Sequence, residues 1–302
     1  SVMNLQVAYK NFFEGRAGFP KFKKKNHEQS FIVYEKTNRI NEDGTINLPK
    51  FSNVKISGLK NKTPRVIGNV TVKKKKNGKY FISFSEEIVI TEEKPKVEKI
   101  EDLKVNAIDV NLENFLTDMN GNRVENPRFK KHVFDRIKYY NQRMSACQKG
   151  SNGWHKWRLK IAKIFEKVSN KKKDFLHKLT TDLVKNHDMI FHENLQIQNM
   201  VKNHCLAESI SQVSWGIFFQ MLKYKGVIYD CYVIGVDPKG TSKKCSHCGH
   251  AENLTLDDRE WTCSNCNKIH VRDHNAAKNI FNKGWGTPIN VDGTLVLPQA
   301  LL

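Results

Sequence analysis

The chain has 302 residues, enough for one large domain or two to three small ones, and carries 51 Lys and Arg against 31 Asp and Glu, a net charge of +20. That excess creates a positive field that gathers polyanions, and nucleic acid is the first partner it suggests, because each neutralised phosphate releases a condensed counterion. The sequence has no run of about 18 apolar residues and no signal-peptide core, which excludes a membrane-spanning helix; seven cysteines without framework spacing argue against a disulfide scaffold and for a reducing, cytoplasmic compartment.

Residues 1–29 start helix-like in "SVMNLQVAYKNFFEG", and Gly18 and Pro20 then break the pattern ahead of a lysine run, Lys23 to Lys25. From residue 30 to about 90 the runs "SFIVYE", "TINLP", "NVKISGL" and "YFISFSEEIVI" are short, β-rich and bounded by turn signals such as "EDGT" and "KNGK". This spacing predicts a small barrel or sandwich, with the lysines of "VKKKKNGK" in a hairpin. Those lysines read either as a solvated turn or as part of a nucleic-acid face. A charged connector, "TEEKPKVEKIEDLK", closes this part.

"VNAIDVNLENFLTDMNGN" then reads as two strands, with Asn120-Gly121 as a type I′ hairpin turn. Two helical patterns flank "KGSNGW". The first puts Val133, Ile137, Tyr140 and Met144 on one stripe, and the second puts Trp157, Ile161, Ile164, Val168, Phe175, Leu179 and Leu183 on another, as in an antiparallel helical hairpin. "HDMIFHENL" is a short buried strand, "VSWGIFFQMLKYKG" a helix and "CYVIGVDP" a further strand. A cysteine segment and a last helix over about Asp273–Lys283 complete the pattern. Strands alternating with helices predict an α/β layer domain.

Cys245, Cys248, Cys263 and Cys266 have the spacing C-x2-C-x14-C-x2-C. Each CxxC knuckle turns two thiolates to one point, and two knuckles complete a tetrahedron, so the expected metal is structural Zn²⁺ with no open position. Lys243 and Lys244 would offset the negative charge of that cage, and His247, His250 and His270 read as bystanders. Three acids stand out elsewhere. Asp109 lies within the apolar "NAIDV", Glu193 follows "MIF", and Asp273 begins the last helix, where Ala276 and Ala277 would allow close packing on a sheet. A carboxylate in an apolar strand is costly unless paired or metal-bound. Phosphodiester hydrolysis with two divalent ions needs such a set of carboxylates, and Mg²⁺ prefers oxygen ligands. Taken singly, the three also read as a strand-end turn acid, a surface residue and an N-cap.

The stretches "AIDVNLENF", "FHENLQIQNM", "DPKGTSKKCSHCG" and "VRDHNAAKNI", with "AYKNFFEGRAGFPKFKKKNHEQSF" upstream, closely resemble the TnpB (OrfB) family of transposon-encoded RNA-guided DNA endonucleases, which is related to the small type V CRISPR effectors. The resemblance covers nearly the whole chain. It implies an α/β, RuvC-like nuclease domain of RNase H fold over 101–302, with a zinc ribbon inserted at 241–270, preceded by a β-barrel wedge domain over 30–100. It also implies Asp109, Glu193 and Asp273 as catalytic carboxylates holding Mg²⁺, as a pair of ions in the two-metal arrangement, a guide RNA made from the transposon end, and target DNA cut beside a short adjacent motif. Family members usually begin with a segment that supplies the first wedge strand and most of a helical recognition lobe; residues 1–29 are expected to be the end of that lobe. The rival expectation is a nucleic-acid-binding regulator of the same family that does not cut.

Overall fold

The computed structural model describes residues 2–22, 29–34, 38–59, 63, 65–87, 102–200, 210, 213–255 and 257–285. The lysine run Lys23–Lys25, most of the charged connector and the tail beyond Trp285 lie outside the described residues. The chain divides into two units, residues 1–89 with 150–162, and residues 90–149 with 163–302.

In the first unit a helix α1 (Val2–Phe13) precedes seven short strands: β1 (Gln29–Val33), β2 (Arg39–Ile40), β3 (Thr45–Leu48), β4 (Phe51–Lys55), β5 (Arg65–Val66), β6 (Val70–Lys74) and β7 (Tyr80–Phe84). They form two antiparallel sheets, in the orders β1-β6-β7 and β4-β3-β2-β5. Val33 and Val70 of one sheet share a core with Ile40 and Ile46 of the other. Among the described residues this is a pair of open sheets and not the closed barrel expected. The strands β2 and β5 are two residues long, too short to carry a ladder around a closed wall. The lysine hairpin is present between β6 and β7. Gly78, at φ 85°, closes it by donating to the Lys75 carbonyl at 2.9 Å, and the Lys75 ammonium sits 3.8 Å from the centre of the Phe81 ring.

The second unit is built on a five-stranded sheet. Its strands are β8 (Val105–Asp109), β9 (Asn114–Asp118), β10 (Arg123–Glu125), β11 (Met189–Glu193) and β12 (Tyr232–Val236), in the spatial order β10-β9-β8-β11-β12. The first three are antiparallel neighbours, and β8, β11 and β12 are parallel. Parallel strands need covered faces, and β8 and β11 are accordingly apolar through most of their length. The turn between β9 and β10 differs from the expected type. Only Gly121 takes a left-handed conformation, whereas a type I′ turn needs two such residues. The loop is longer than two residues because Asp118 organises it: its carboxylate accepts from the Asn120 and Asn122 backbones at 3.0 and 2.8 Å.

Two helices follow β10, α2 (Phe134–Ser145) and α3 (Asn152–Asn186). The expected stripes pack only in part. Ile137 alone is buried in α2, and the buried positions of α3 are Leu176, Thr180, Leu183 and Val184 near its end. A helix of 35 residues is about 50 Å long, whereas a five-residue strand spans roughly 17 Å, so one end of α3 covers the sheet. A short α4 (Ile197–Met200) and α5 (Trp215–Ile228) complete this layer, where Ile108 and Ile190 meet Leu176, Phe218 and Leu222.

The opposite face of the sheet is covered by α6 (Arg272–Trp285), in a core of Ala107, Met189, Phe191, Val236 and Ile280. Ala276 and Ala277 are fully buried, as small residues must be where a helix axis lies close to a sheet. Gly284 is the tightest point, since a Cβ there would collide with the Phe191 ring. Gly284→Ala is therefore expected to cost about 1–3 kcal/mol of stability despite the better helix propensity of alanine. A denaturant titration that shows no loss would mean that α6 can lift away from the sheet at no cost.

Candidate nuclease site and zinc ribbon

Strand alternation decides where the first two acids point. On β8, Ala107 faces the α6 core and Ile108 faces the α5 core, so Asp109 faces α6. On β11, Met189 and Phe191 face α6 and Ile190 faces α5, so Glu193 also faces α6. The two strands are parallel neighbours paired up to Ile108 and His192, which puts Asp109 and Glu193 side by side at the strand ends. Adjacent strands are about 4.8 Å apart. Asp273 lies in the first turn of α6, the helix that crosses this same face. The helix start also carries a positive dipole end, which favours negative charge.

The electrostatics record the convergence. Burial raises the Asp109 carboxyl well above the ordinary carboxylate range, and the charges of Glu193 and Asp273 raise it further, against a bond from Asn111 and the nearby Arg272 cation. Burial also raises Glu193, opposed by the Thr241 hydroxyl and by Lys283. Among the described residues none of the three acids forms an ion pair with a lysine or arginine. Carboxylates brought near one another by the fold, and not ion-paired with the chain's own cations, suit a hard divalent ion. Their oxygens are more widely spread than a single closed shell: no choice of one oxygen from each brings all three within 4.8 Å.

The four cysteine sulfurs do lie within 4.8 Å of one another. Both knuckles close in the same way. The Cys245 N–H donates to the His250 carbonyl at 2.8 Å and the Cys263 N–H to the Lys268 carbonyl at 2.9 Å, while Gly249 and Asn267 take left-handed conformations four residues after each first cysteine. Burial raises the Cys263 thiol, whereas the His250 backbone holds Cys248 down to about 6. Four sulfurs at this spacing, two of them buried, fit Zn²⁺, which binds the thiolate form. The strands β13 (Glu260–Thr262) and β14 (Ile269–Val271) form the small ribbon, in which the Trp261 and His270 rings meet at a 34° tilt with centres 4.6 Å apart. His270 is not among the grouped ligands, and its Nε2 lies 3.1 Å from the Cys245 sulfur, where it can orient that ligand.

The ribbon is fastened to α6 by a row of asparagines that sequence reading passed over. Asn275 donates to the Lys244 carbonyl at 2.7 Å and accepts from the Ser246 N–H at 2.9 Å. Asn279 donates to the carbonyls of Thr241 and Lys244 at 2.7 and 2.6 Å, and Asn282 reaches the Ser246 carbonyl at 3.3 Å. The spacing of four and three residues puts all three on one helix face, and that periodicity was the available signal. Thr241 was also missed. Its hydroxyl bonds to a Glu193 carboxyl oxygen.

A groove of about 1440 Å³ opens on the other side of the unit. None of the three acids lines it; it starts at Leu112 and Glu113, just beyond Asp109 in the chain. Lys130, Lys131, Lys172 and Lys173 line it, Lys172 with its ammonium donating to the Ser214 hydroxyl at 3.0 Å, and Phe134 and Phe165 are exposed along it. No helix among the described residues is long and apolar enough to cross a membrane.

Comparison with known proteins agrees with this architecture. Residues 87–204 match the family OrfB_IS605, described as "Probable transposase", and residues 215–280 match the TNB domain of Cas12f1-like proteins. A protein of Streptomyces pristinaespiralis, "Putative RNA-guided DNA endonuclease", is 29% identical over 99% of this chain and 73% of its own length. "Putative RNA-guided DNA endonuclease InsQ" of Escherichia coli (strain K12) is 30% identical over 94% of this chain and 73% of its own. A chain of the Cas12f1-sgRNA-target DNA complex superposes with a TM-score of 0.56 at 17% identity, covering 92% of this chain and 69% of that one, which is a likeness of fold.

Proposed function

This chain belongs to the TnpB (OrfB) family, and on that premise we propose that it is an RNA-guided DNA endonuclease whose active site is formed by Asp109, Glu193 and Asp273. The observation that carries the reading is the convergence of three acids, far apart in sequence, on one face at the end of two parallel strands. A buried carboxylate raised by burial and by the charges of two neighbouring acids, as Asp109 is, marks a place where a cation can be held. Two Mg²⁺ ions about 3.5–4 Å apart would supply Lewis acidity and positive charge at the scissile phosphodiester.

The chain's own residues do the positioning. The end of β8 holds Asp109 in a buried site with little freedom, and the first turn of α6 brings Asp273 to it. The ribbon, held by Zn²⁺ on Cys245, Cys248, Cys263 and Cys266, restrains α6 through Asn275 and Asn279. The lysine-lined groove offers phosphates a basic edge and bases an aromatic surface, the combination that seats a single strand. Guide RNA from the transposon end would select the target by pairing, with the protein gripping the duplex by backbone and shape.

The test is to express the chain with its flanking transposon DNA, sequence the RNA that co-purifies, and challenge the complex with a matched target library in Mg²⁺. The expected result is a discrete bound RNA and cleavage of matched DNA that leaves 5′-phosphate ends. Bound RNA without any cutting would favour the non-cleaving regulator. Reversing the groove's charge with Lys130→Glu and Lys131→Glu should weaken DNA engagement and reduce its salt dependence, measured as the slope of log Kd against log salt concentration. An unchanged slope would remove the groove from the strand path.

A further inference from the structure

We propose that Thr241 is a positioning residue for the nuclease site: its hydroxyl fixes the Glu193 carboxylate on one side, and its carbonyl ties that hold to the helix carrying Asp273 on the other. The proposal rests on the reading of Asp109, Glu193 and Asp273 as a divalent-metal site. It goes beyond that reading by giving the ribbon's root a direct role in placing the second acid.

Thr241 sits between β12 and the first cysteine, and it is 2% exposed. Its Oγ1 lies within hydrogen-bonding distance of two acceptors, Glu193 Oε1 and the Pro238 carbonyl, the latter at 3.0 Å. A hydroxyl has one proton to donate, and the carboxylate is the closer and stronger acceptor. On the backbone side, the Thr241 carbonyl accepts from Asn279 Nδ2 at 2.7 Å, and Asn279 is itself buried on α6, the helix that begins with Asp273 in its first turn. One residue thus joins β11, the root of the ribbon and α6. A glutamate has three rotatable bonds and would otherwise spread over several rotamers. A β-branched donor with restricted χ1, anchored at its carbonyl, selects one of them. This is the role that partners of metal ligands play in orienting them.

The experiment uses the full chain with its bound RNA and compares the parent with Thr241→Val, which keeps the shape and removes the donor, and Thr241→Ser, which keeps the donor. Mn²⁺ affinity is read from the free-ion electron paramagnetic resonance signal, and cleavage is followed as a function of Mg²⁺ concentration, with zinc content measured for each protein. Thr241→Val should lower divalent-ion affinity about 10- to 100-fold, shift the Mg²⁺ requirement upward by a similar factor, and keep its zinc. Thr241→Ser should restore most of both. The proposal is overturned if Thr241→Val binds Mn²⁺ and responds to Mg²⁺ like the parent, if Thr241→Ser fails equally, or if Thr241→Val loses its zinc, since its role would then be packing. A parent protein that itself binds no Mn²⁺ would instead refute the metal-site reading.

Discussion

Asp109→Asn is expected to lower cleavage on the order of 10⁴-fold, the size of loss seen when one member of a co-operating catalytic set is removed, while making the metal-free protein more stable. Both effects come from the same arrangement. Asp109 is 8% exposed, and burial, then Glu193 and Asp273, push its carboxyl well above the usual range. In the unfolded chain the same group ionises near its ordinary value of about 4. Over the window from there up to the raised folded value the native state binds more protons than the unfolded one, so metal-free stability falls as pH rises. An asparagine has no charge to bury, and the variant should lose that part of the pH dependence. Melting curves without divalent ions should show a higher Tm for Asp109→Asn at neutral pH, by about 2–4 °C for each kcal/mol relieved. Added Mg²⁺ should raise the parent's Tm by binding the folded state and leave the variant's nearly unchanged. A variant that still cuts, or that gains the same Tm from Mg²⁺, would remove Asp109 from the site.

The second large effect is expected from the ribbon. Cys263 is fully buried among the four sulfurs, and Cys263→Ser should abolish zinc retention. Structural zinc contributes folding free energy directly, so the segment from Thr241 to His270 should lose its fixed form. The consequences then reach α6. Asn275 and Asn279 are buried and aim their amides at the carbonyls of Thr241 and Lys244. Without those partners each buried amide costs about 1–3 kcal/mol. The start of α6, and Asp273 with it, should loosen, and a misplacement of about 1 Å can cost roughly 10²-fold in rate. Hydrogen exchange should quicken across residues 272–280, and cleavage should fall by about that factor or more, with RNA binding retained. Unchanged protection of α6 in a zinc-free protein that still cuts would show that the ribbon does not brace the helix.

Much of this was readable from residue order because local rules and the final fold agree. The apolar runs of β8 and β11, the helix with Ala276 and Ala277, and the doubled CxxC knuckles each come from patterns with a period of two, a helical period or fixed ligand spacing. Asp109 and Glu193 stood out because they interrupt or follow apolar runs, and Asp273 because it begins the last helix. What escaped was set by partners distant in the chain. Thr241 stands out only once Glu193 and Asn279 are placed around it. Lys225, within the expected helix, is buried and donates to the His177 carbonyl at 2.6 Å and to the hydroxyls of Thr180 and Thr181 at 2.9 and 2.6 Å, partners that the sequence pattern does not show. The type I′ turn expected at Asn120-Gly121 gave way to a longer loop because the Asp118 carboxylate competes for its backbone. Among the described residues the barrel expected ahead of the nuclease unit is instead two sheets, in which strands such as β2 and β5 are only two residues long.

The most direct measurement is a structure of the full chain soaked in Mn²⁺, with anomalous scattering recorded at the manganese edge. Two peaks about 3.5–4 Å apart, each bonded to carboxylate oxygens drawn from Asp109, Glu193 and Asp273, are the result expected. Manganese bound elsewhere on an ordered chain, with these three carboxylates empty, would contradict the assignment of the site.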